Sequence, residues 1–159
     1  MTRIRLAGPD DWAAVREVRL RALADSPSAF ASTLEREVGF HEAEWRRRLA
    51  GGPWWMAVDG ERAVGLVAAV PEDGGMHLVA MWVEPGCRGT STATDLVDAV
   101  CDWAADAGAG TVSLWVADGN ERARRFYARL GFFPTGARQP LPSAPEVGEE
   151  QLRRLLTPG

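Results

Sequence analysis

Two stretches of this chain hold side chains whose type and spacing could do chemistry. The first is the run R-G-T-S-T-A at residues 88–93, set between an apolar stretch that ends at Val83 and an amphipathic run that starts at Thr92. A short loop feeding straight into a helix presents backbone N–H groups that have no partner inside the helix. The chemistry this permits is anion binding at the helix start. Arg88 adds a fixed positive charge with a planar donor fork that suits phosphate. Most strand-loop-helix junctions bind only water, so the loop needs support from elsewhere in the chain. The second stretch contains His77, near the start of the strand that ends at Val83. An imidazole titrates near neutral pH with little tuning and suits a proton acceptor, although a strand-start histidine after Gly74-Gly75 can equally be a solvent-exposed side chain. Glu35 and Glu84 are the alternative bases, and His41 reads as a surface residue at a helix start.

The elements that must position these residues follow from periodicity and breakers. Residues 3–7 alternate, with Ile4 and Leu6 on one face, and predict a short first strand. Gly8-Pro9-Asp10 breaks it and offers an N-cap to a helix over 11–24, where Trp12, Val15, Val18, Ala22 and Leu23 keep helical spacing. A loop or short helical turn follows Ser26-Pro27, then a second helix over 41–50. Beyond Gly51-Gly52-Pro53, residues 54–58, 63–70 and 76–83 read as three strands joined by tight turns, Asp59-Gly60 being a hairpin signal. They predict an antiparallel meander.

The helix opening at Thr92 carries Ala93, Leu96, Val97, Val100, Cys101 and Ala104 on one apolar face, with Gly108 as its stop. A strand over 111–116 comes next, so strand-helix-strand order implies a parallel pair with a right-handed crossover. Asn120 can cap a helix over 121–130. A strand over 132–137, a loop over 139–148 containing three prolines, and a last strand over 149–156 complete the chain. The expected fold class is mixed α/β: about six to seven mostly antiparallel strands, one parallel pair at the centre, helices on both faces, and a single domain over 1–159.

Composition excludes several functions. A net charge of -4 gives no basic field for nucleic acid. The apolar run at 64–70 is far too short to span a bilayer, and the N-terminus lacks the apolar core of a secretory signal, so no membrane association and a cytoplasmic location are expected. Cys87 and Cys101 show no zinc-type spacing and are expected as free thiols, with no metal site. Five aromatic side chains, Phe30, Trp45, Trp54, Trp55 and Trp82, could line a pocket for an apolar amine. Strand alternation and the usual fate of tryptophan favour core instead.

The order V-x-P, R-G-x-x-x-A, helix, strand, then N-x-x-A-x-x-F-Y-x-x-x-G-F resembles the GCN5-related N-acetyltransferase (GNAT) superfamily over nearly the whole chain. Arg88 and Ala93 fit the family's pyrophosphate loop, while Ser91 stands where glycine is usual. Asn120, Ala123, Phe126, Tyr127, Gly131 and Phe132 all fall in register with the downstream signature. The resemblance implies an acetyl-CoA-dependent transferase acting on a primary amine of a small molecule or peptide by direct attack in a ternary complex. It implies that the strand ending at Val83 splays from its parallel neighbour so that the exposed edges bind pantetheine, and that the N–H groups of Gly89, Thr90, Ser91, Thr92 and Ala93 take the pyrophosphate. Cofactor contacts then extend to Val83, Arg88, Asn120, Ala123 and Phe126.

The resemblance further implies that Tyr127, the only tyrosine, protonates the leaving thiolate. Read alone, it is a half-buried tyrosine with its hydroxyl on a carbonyl or water. His77 occupies the place of the family's base. A homodimer is among the assemblies the resemblance allows. The rival readings are a catalytically silent acyl-CoA-binding module and a structural domain that kept the fold and lost the cofactor. Ser91 is tolerable if its φ is negative and damaging if the loop needs positive φ.

Overall fold

The computed structural model describes residues 2–156. Its centre is a seven-stranded sheet in the order β1-β2-β3-β4-β5-β7-β6. The strands are β1 (Thr2–Ala7), β2 (Trp54–Asp59), β3 (Arg62–Glu72), β4 (Gly75–Val83), β5 (Thr111–Ala117), β6 (Phe133–Leu141) and β7 (Ala144–Leu155). Every adjacent pair is antiparallel except β4 and β5, as the strand-helix-strand order requires. The helices are α1 (Trp12–Asp25), α2 (Leu34–Val38), α3 (Glu42–Ala50), α4 (Thr92–Asp106) and α5 (Glu121–Arg129).

Both sheet faces are covered, so the central strands are buried on both sides and alternation sorts side chains between two cores. In β2, Trp55 and Ala57 join the layer under α4, while Trp54, Met56 and Val58 join the layer under α1 and α3. The first layer is completed by Leu96, Val97, Val100 and Ala104 of α4, the stripe the helical spacing predicts. The second takes Val15, Val18, Ala22 and Leu23 of α1 with Phe30, Trp45 and Trp82. The tryptophans expected as core are core: Trp45, Trp54, Trp55 and Trp82 are all buried.

Two local expectations are corrected. The proline-rich stretch 139–148 is not a loop; it forms the paired ends of β6 and β7, with Leu141 opposite Ala144 across a tight turn. Its prolines are tolerated because β6 is an edge strand and because β5 ends opposite Glu149, so the first residues of β7 overhang the sheet. Asp11, not Asp10, occupies the N-cap position of α1. Its carboxylate accepts the Gly8 N–H at 2.8 Å and pairs with Arg5 at 2.9 Å, while Asp10 pairs with Arg46.

Candidate functional site

The parallel pair is short. Only Gly75, Met76 and His77 of β4 lie in register with Thr111, Val112 and Ser113 of β5. Gly75 permits this close start, since a Cβ there would sit 2.5 Å from the Thr111 carbonyl oxygen. Past Ser113 the strands separate, and β5 turns its other edge to β7. Facing edges of residues 78–81 and 114–117 then line a cleft, together with Ala29, Phe30, Asn120, Ala123 and Tyr127. Sheet edges left unpaired in this way offer N–H and C=O groups to an extended ligand.

One wall of the cleft is distorted. The register between β3 and β4 shifts between the Leu66–Trp82 and Ala68–Val79 pairs, leaving Ala80 in a bulge. Ala80 has φ of 60°, the only positive φ of a non-glycine residue among the described residues. An L-residue pays about 1 kcal/mol for that conformation, and bulges of this kind re-aim the backbone beside functional sites. Nothing in the sequence signals it, because alanine has no preference for the left-handed region.

At the wide end, β4 leads through Glu84 to the loop before α4. Gly89 takes φ of 84° with open space where a side chain would be. Ser91 has φ of -75° and is the N-cap residue of α4, so a side chain there costs no backbone strain. Its hydroxyl donates to the Asp95 carboxylate at 3.0 Å. The Thr90 hydroxyl donates to the Cys87 carbonyl at 2.6 Å, and the Thr92 N–H donates to the Thr90 hydroxyl oxygen at 3.3 Å. The N–H groups of Gly89, Thr90, Ser91 and Ala93 have no acceptor among the described residues. They are the unspent donors that a short loop feeding a helix start leaves.

Arg88 is occupied differently from the expectation. Its Nε donates to the Val83 carbonyl at 3.0 Å and its Nη2 to Asp25 at 2.7 Å. Asp25 also accepts from Trp82 Nε1 at 3.0 Å and from Ser26 at 2.7 Å. The Trp82 bond first, then Ser26 and Arg88, hold its carboxyl at about 2. Arg88 thus ties the loop to the end of α1, with Nη1 left over for an anion.

Asn120 accepts the Ala123 N–H at 3.2 Å, capping α5, and lines the cleft as well. The Tyr127 ring is buried between Phe126 and Phe132, with centroids at 5.0 and 5.5 Å, and burial raises its phenol well above the usual range. Phe126 supports that ring and is not among the cleft-lining residues.

His77 sits at the closed end of the cleft, one residue before the lining begins. Its Nδ1 is 3.3 Å from Ser113 Oγ and 3.7 Å from the Glu72 carboxylate, and Ser113 donates its own proton to Glu72. Ser113 therefore has only acceptor capacity left for Nδ1, which fixes the tautomer with the proton on Nδ1 and the lone pair on Nε2. Desolvation lowers the imidazole's pKa, partly opposed by Glu72, so it is neutral near pH 7. Glu84 is ion-paired to Arg21 at 2.5 Å and to Arg62, its carboxyl lowered chiefly by Arg62, and is unsuited to accept a proton. Glu35 lies exposed on α2, and His41 is the exposed N-cap residue of α3.

Sequence reasoning missed a second group beside the cleft. Arg19 of α1 is buried and donates to Glu37 of α2 through Nε and Nη2, both at 2.9 Å; Arg48 of α3 donates to the same carboxylate at 2.9 Å. Burial alone would raise the Glu37 carboxyl, but Arg19 and then Arg48 more than offset that and hold it at about 2. A signal existed: positions 15, 18, 19 and 22 form one helical stripe, and a charge on it at Arg19 calls for a buried partner.

Among the described residues no helix is long and apolar enough to cross a membrane. Comparison with known proteins gives a consistent picture. The family model of the Acetyltransferase (GNAT) family matches residues 15–132. An uncharacterized N-acetyltransferase of Mycobacterium tuberculosis is 42% identical over 67 residues, 42% of this chain and 43% of that relative, so under half of the relative's length is matched. A GNAT-family acetyltransferase structure from Streptococcus pneumoniae superposes with a TM-score of 0.83 at 16% identity, covering 99% of this chain and 100% of that one. The ribosomal-protein-S18-alanine N-acetyltransferase of Escherichia coli gives 0.74 at 15% identity, covering 99% and 95%. These two structures bear on the fold alone.

Proposed function

The chain belongs to the acetyltransferase (GNAT) family, and from that premise we propose that it moves an acetyl group from acetyl-CoA to a primary amine of a small molecule or peptide, by direct attack in a ternary complex. The observation that carries this reading is the continuity of two ligand-ready surfaces. The unpaired edges of β4 and β5 line a cleft that Tyr127 also borders, and β4 leads on past Val83 into a loop whose N–H groups are unspent. Acetyl-CoA, when bound, supplies an activated thioester.

The chain's own groups divide the remaining work. The N–H groups of Gly89, Thr90, Ser91 and Ala93, with the dipole of α4 behind them, would hold the pyrophosphate. Thr92 would join them only by giving up its bond to Thr90. Val83, at the end of β4, and Asn120 and Ala123 border the pantetheine path; Phe126 contributes by fixing Tyr127. As the C–N bond forms and the C–S bond breaks, one proton leaves the acceptor nitrogen and one is needed at sulfur. His77, neutral with its Nε2 lone pair free, takes the first, and Glu72 steadies the imidazolium that results. Tyr127 would supply the second; burial keeps the phenol protonated throughout the physiological range, so a proton is in place when the thiolate leaves.

An amine-library screen following free thiol release from acetyl-CoA tests the reading. Acceptor-dependent release with at least one amine is expected. Binding of acetyl-CoA without release for any amine would convert the chain into a silent acyl-CoA-binding module.

A further inference from the structure

We propose that the acceptor amine carries one carboxylate, and that this carboxylate docks on the Arg19–Glu37–Arg48 cluster; the inference rests on the acetyl-transfer reading above. A pocket of about 330 Å³ lies beside the cleft and shares Val79 and the bulged Ala80 with it. Its remaining wall includes Trp54, Val70, Arg19 and Arg48. A molecule seated there borders the cleft at Val79 and Ala80 and has Arg19 and Arg48 in its lining, with Trp54, Ala68 and Val70 as apolar wall.

Charge counting decides what those two arginines are for. Glu37 is fully buried and is the sole carboxylate bonded to either arginine among the described residues. Two guanidinium charges against one carboxylate leave one positive charge uncompensated at an apolar-walled pocket. Arg19 is answered by Glu37, so the surplus sits on the partly exposed Arg48 at the pocket wall, where a seated anion would complete it. Arg19 is 6% exposed and has spent Nε and Nη2 on Glu37; its buried Nη1 has no partner among the described residues. Arg48 is 25% exposed and has spent only Nη1, so Nε and Nη2 remain for a ligand.

The Arg48 guanidinium is also held in place. It lies 4.8 Å from the Trp45 ring centroid and 5.3 Å from that of Trp54, which preorganises the fork for a planar oxyanion. The second arginine gives the cluster donors beyond those that Glu37 takes, and that surplus fork is what an acceptor carboxylate would use. One net charge matches a carboxylate better than a dianionic phosphate, and an acceptor with no anionic group leaves the arginines as they were.

The test compares free amino acids with their primary amides, and with O-phosphoethanolamine, as acceptors and as ligands in calorimetric titration. For at least one side chain the carboxylate form is expected to exceed its amide by about tenfold in kcat/KM, about 1.4 kcal/mol. Arg48→Gln should erase that preference and Arg48→Lys should retain part of it, with acetyl-CoA affinity unchanged in both. Equal use of acids and amides across the set, preference for the phosphate, or a preference that survives Arg48→Gln would overturn the proposal. Should no amine be acetylated, the titration still decides. Binding of the acid over its amide supports the anion pocket with the transfer reading lost, and equal or absent binding removes the pocket as well.

Discussion

The two faces of the sheet solve different problems. On one side α4 buries Thr92, Leu96, Val97, Val100, Cys101 and Ala104, no charge among them, and the loop at its N-terminus leaves main-chain N–H groups without an acceptor among the described residues. On the other side α1 buries Arg19 among Val15, Val18, Ala22 and Leu23, and α2 buries Glu37. On that side the polar groups are side chains held by other side chains. The cleft between β4 and β5 is where the two constructions meet. A backbone-made site tolerates substitution wherever φ and size allow, whereas a site built from a buried charge cluster fails when one member is changed.

The sharpest way to break this contrast is Glu37→Gln. It leaves two arginines without their carboxylate, and removing one partner of a buried ion pair costs about 3–5 kcal/mol, read as a large fall in thermal midpoint. The pH dependence has a definite sign. The folded-state pKa of about 2 lies below the ordinary value of 4.5, so the contribution is present above 4.5 and fades as pH falls toward 2. The wild type should lose stability across that window and the variant should show a flatter acid limb. Equal acid profiles would mean that Glu37 is not the charge that matters.

Next in size is Tyr127→Phe, which removes a proton source from the cleft and nothing from the backbone-made site. Turnover should fall about 100-fold while acetyl-CoA affinity stays within about twofold; an equal loss in both would make Tyr127 a packing residue. His77→Gln should lower kcat/KM by a similar factor, about 100-fold. It should also remove a pH limb that, in the wild type, has its midpoint below the ordinary histidine value of about 6.5, because desolvation lowers this imidazole. Retention of the limb would pass the base role to another group or to water.

The smallest effect should come from Ser91→Gly. Since φ at Ser91 is already negative, restoring the family's usual glycine should change acetyl-CoA affinity by no more than about twofold, with the Asp95 bond as the only loss. A gain of tenfold or more would show that Ser91 weakens the loop.

What could be read from the sequence follows the same division. The α4 stripe, the parallel pair and the loop at 88–93 are local patterns, set by helical period, breakers and helix-end chemistry, and all three appear at the expected places. The bulge at Ala80 was not legible, because it comes from pairing with β3 and from no preference of alanine itself. Nor was the pairing of Arg88 with Asp25, which joins residues 63 positions apart. The Arg19–Glu37–Arg48 cluster was half legible: the stripe exposes Arg19, but its partners sit on two short helices whose approach no local pattern encodes. The prolines at 140, 142 and 145 misled because their effect depends on being at a sheet edge.

Backbone amide NMR during titration with acetyl-CoA tests the central claim most directly, that the splayed strands and the α4 loop form one cofactor site. The predicted result is that the largest shifts fall on residues 78–81, 89–93 and 114–117 and report a single binding event. Shifts concentrated on β1, β6 or the exposed face of α3, or none at saturating acetyl-CoA, would contradict it.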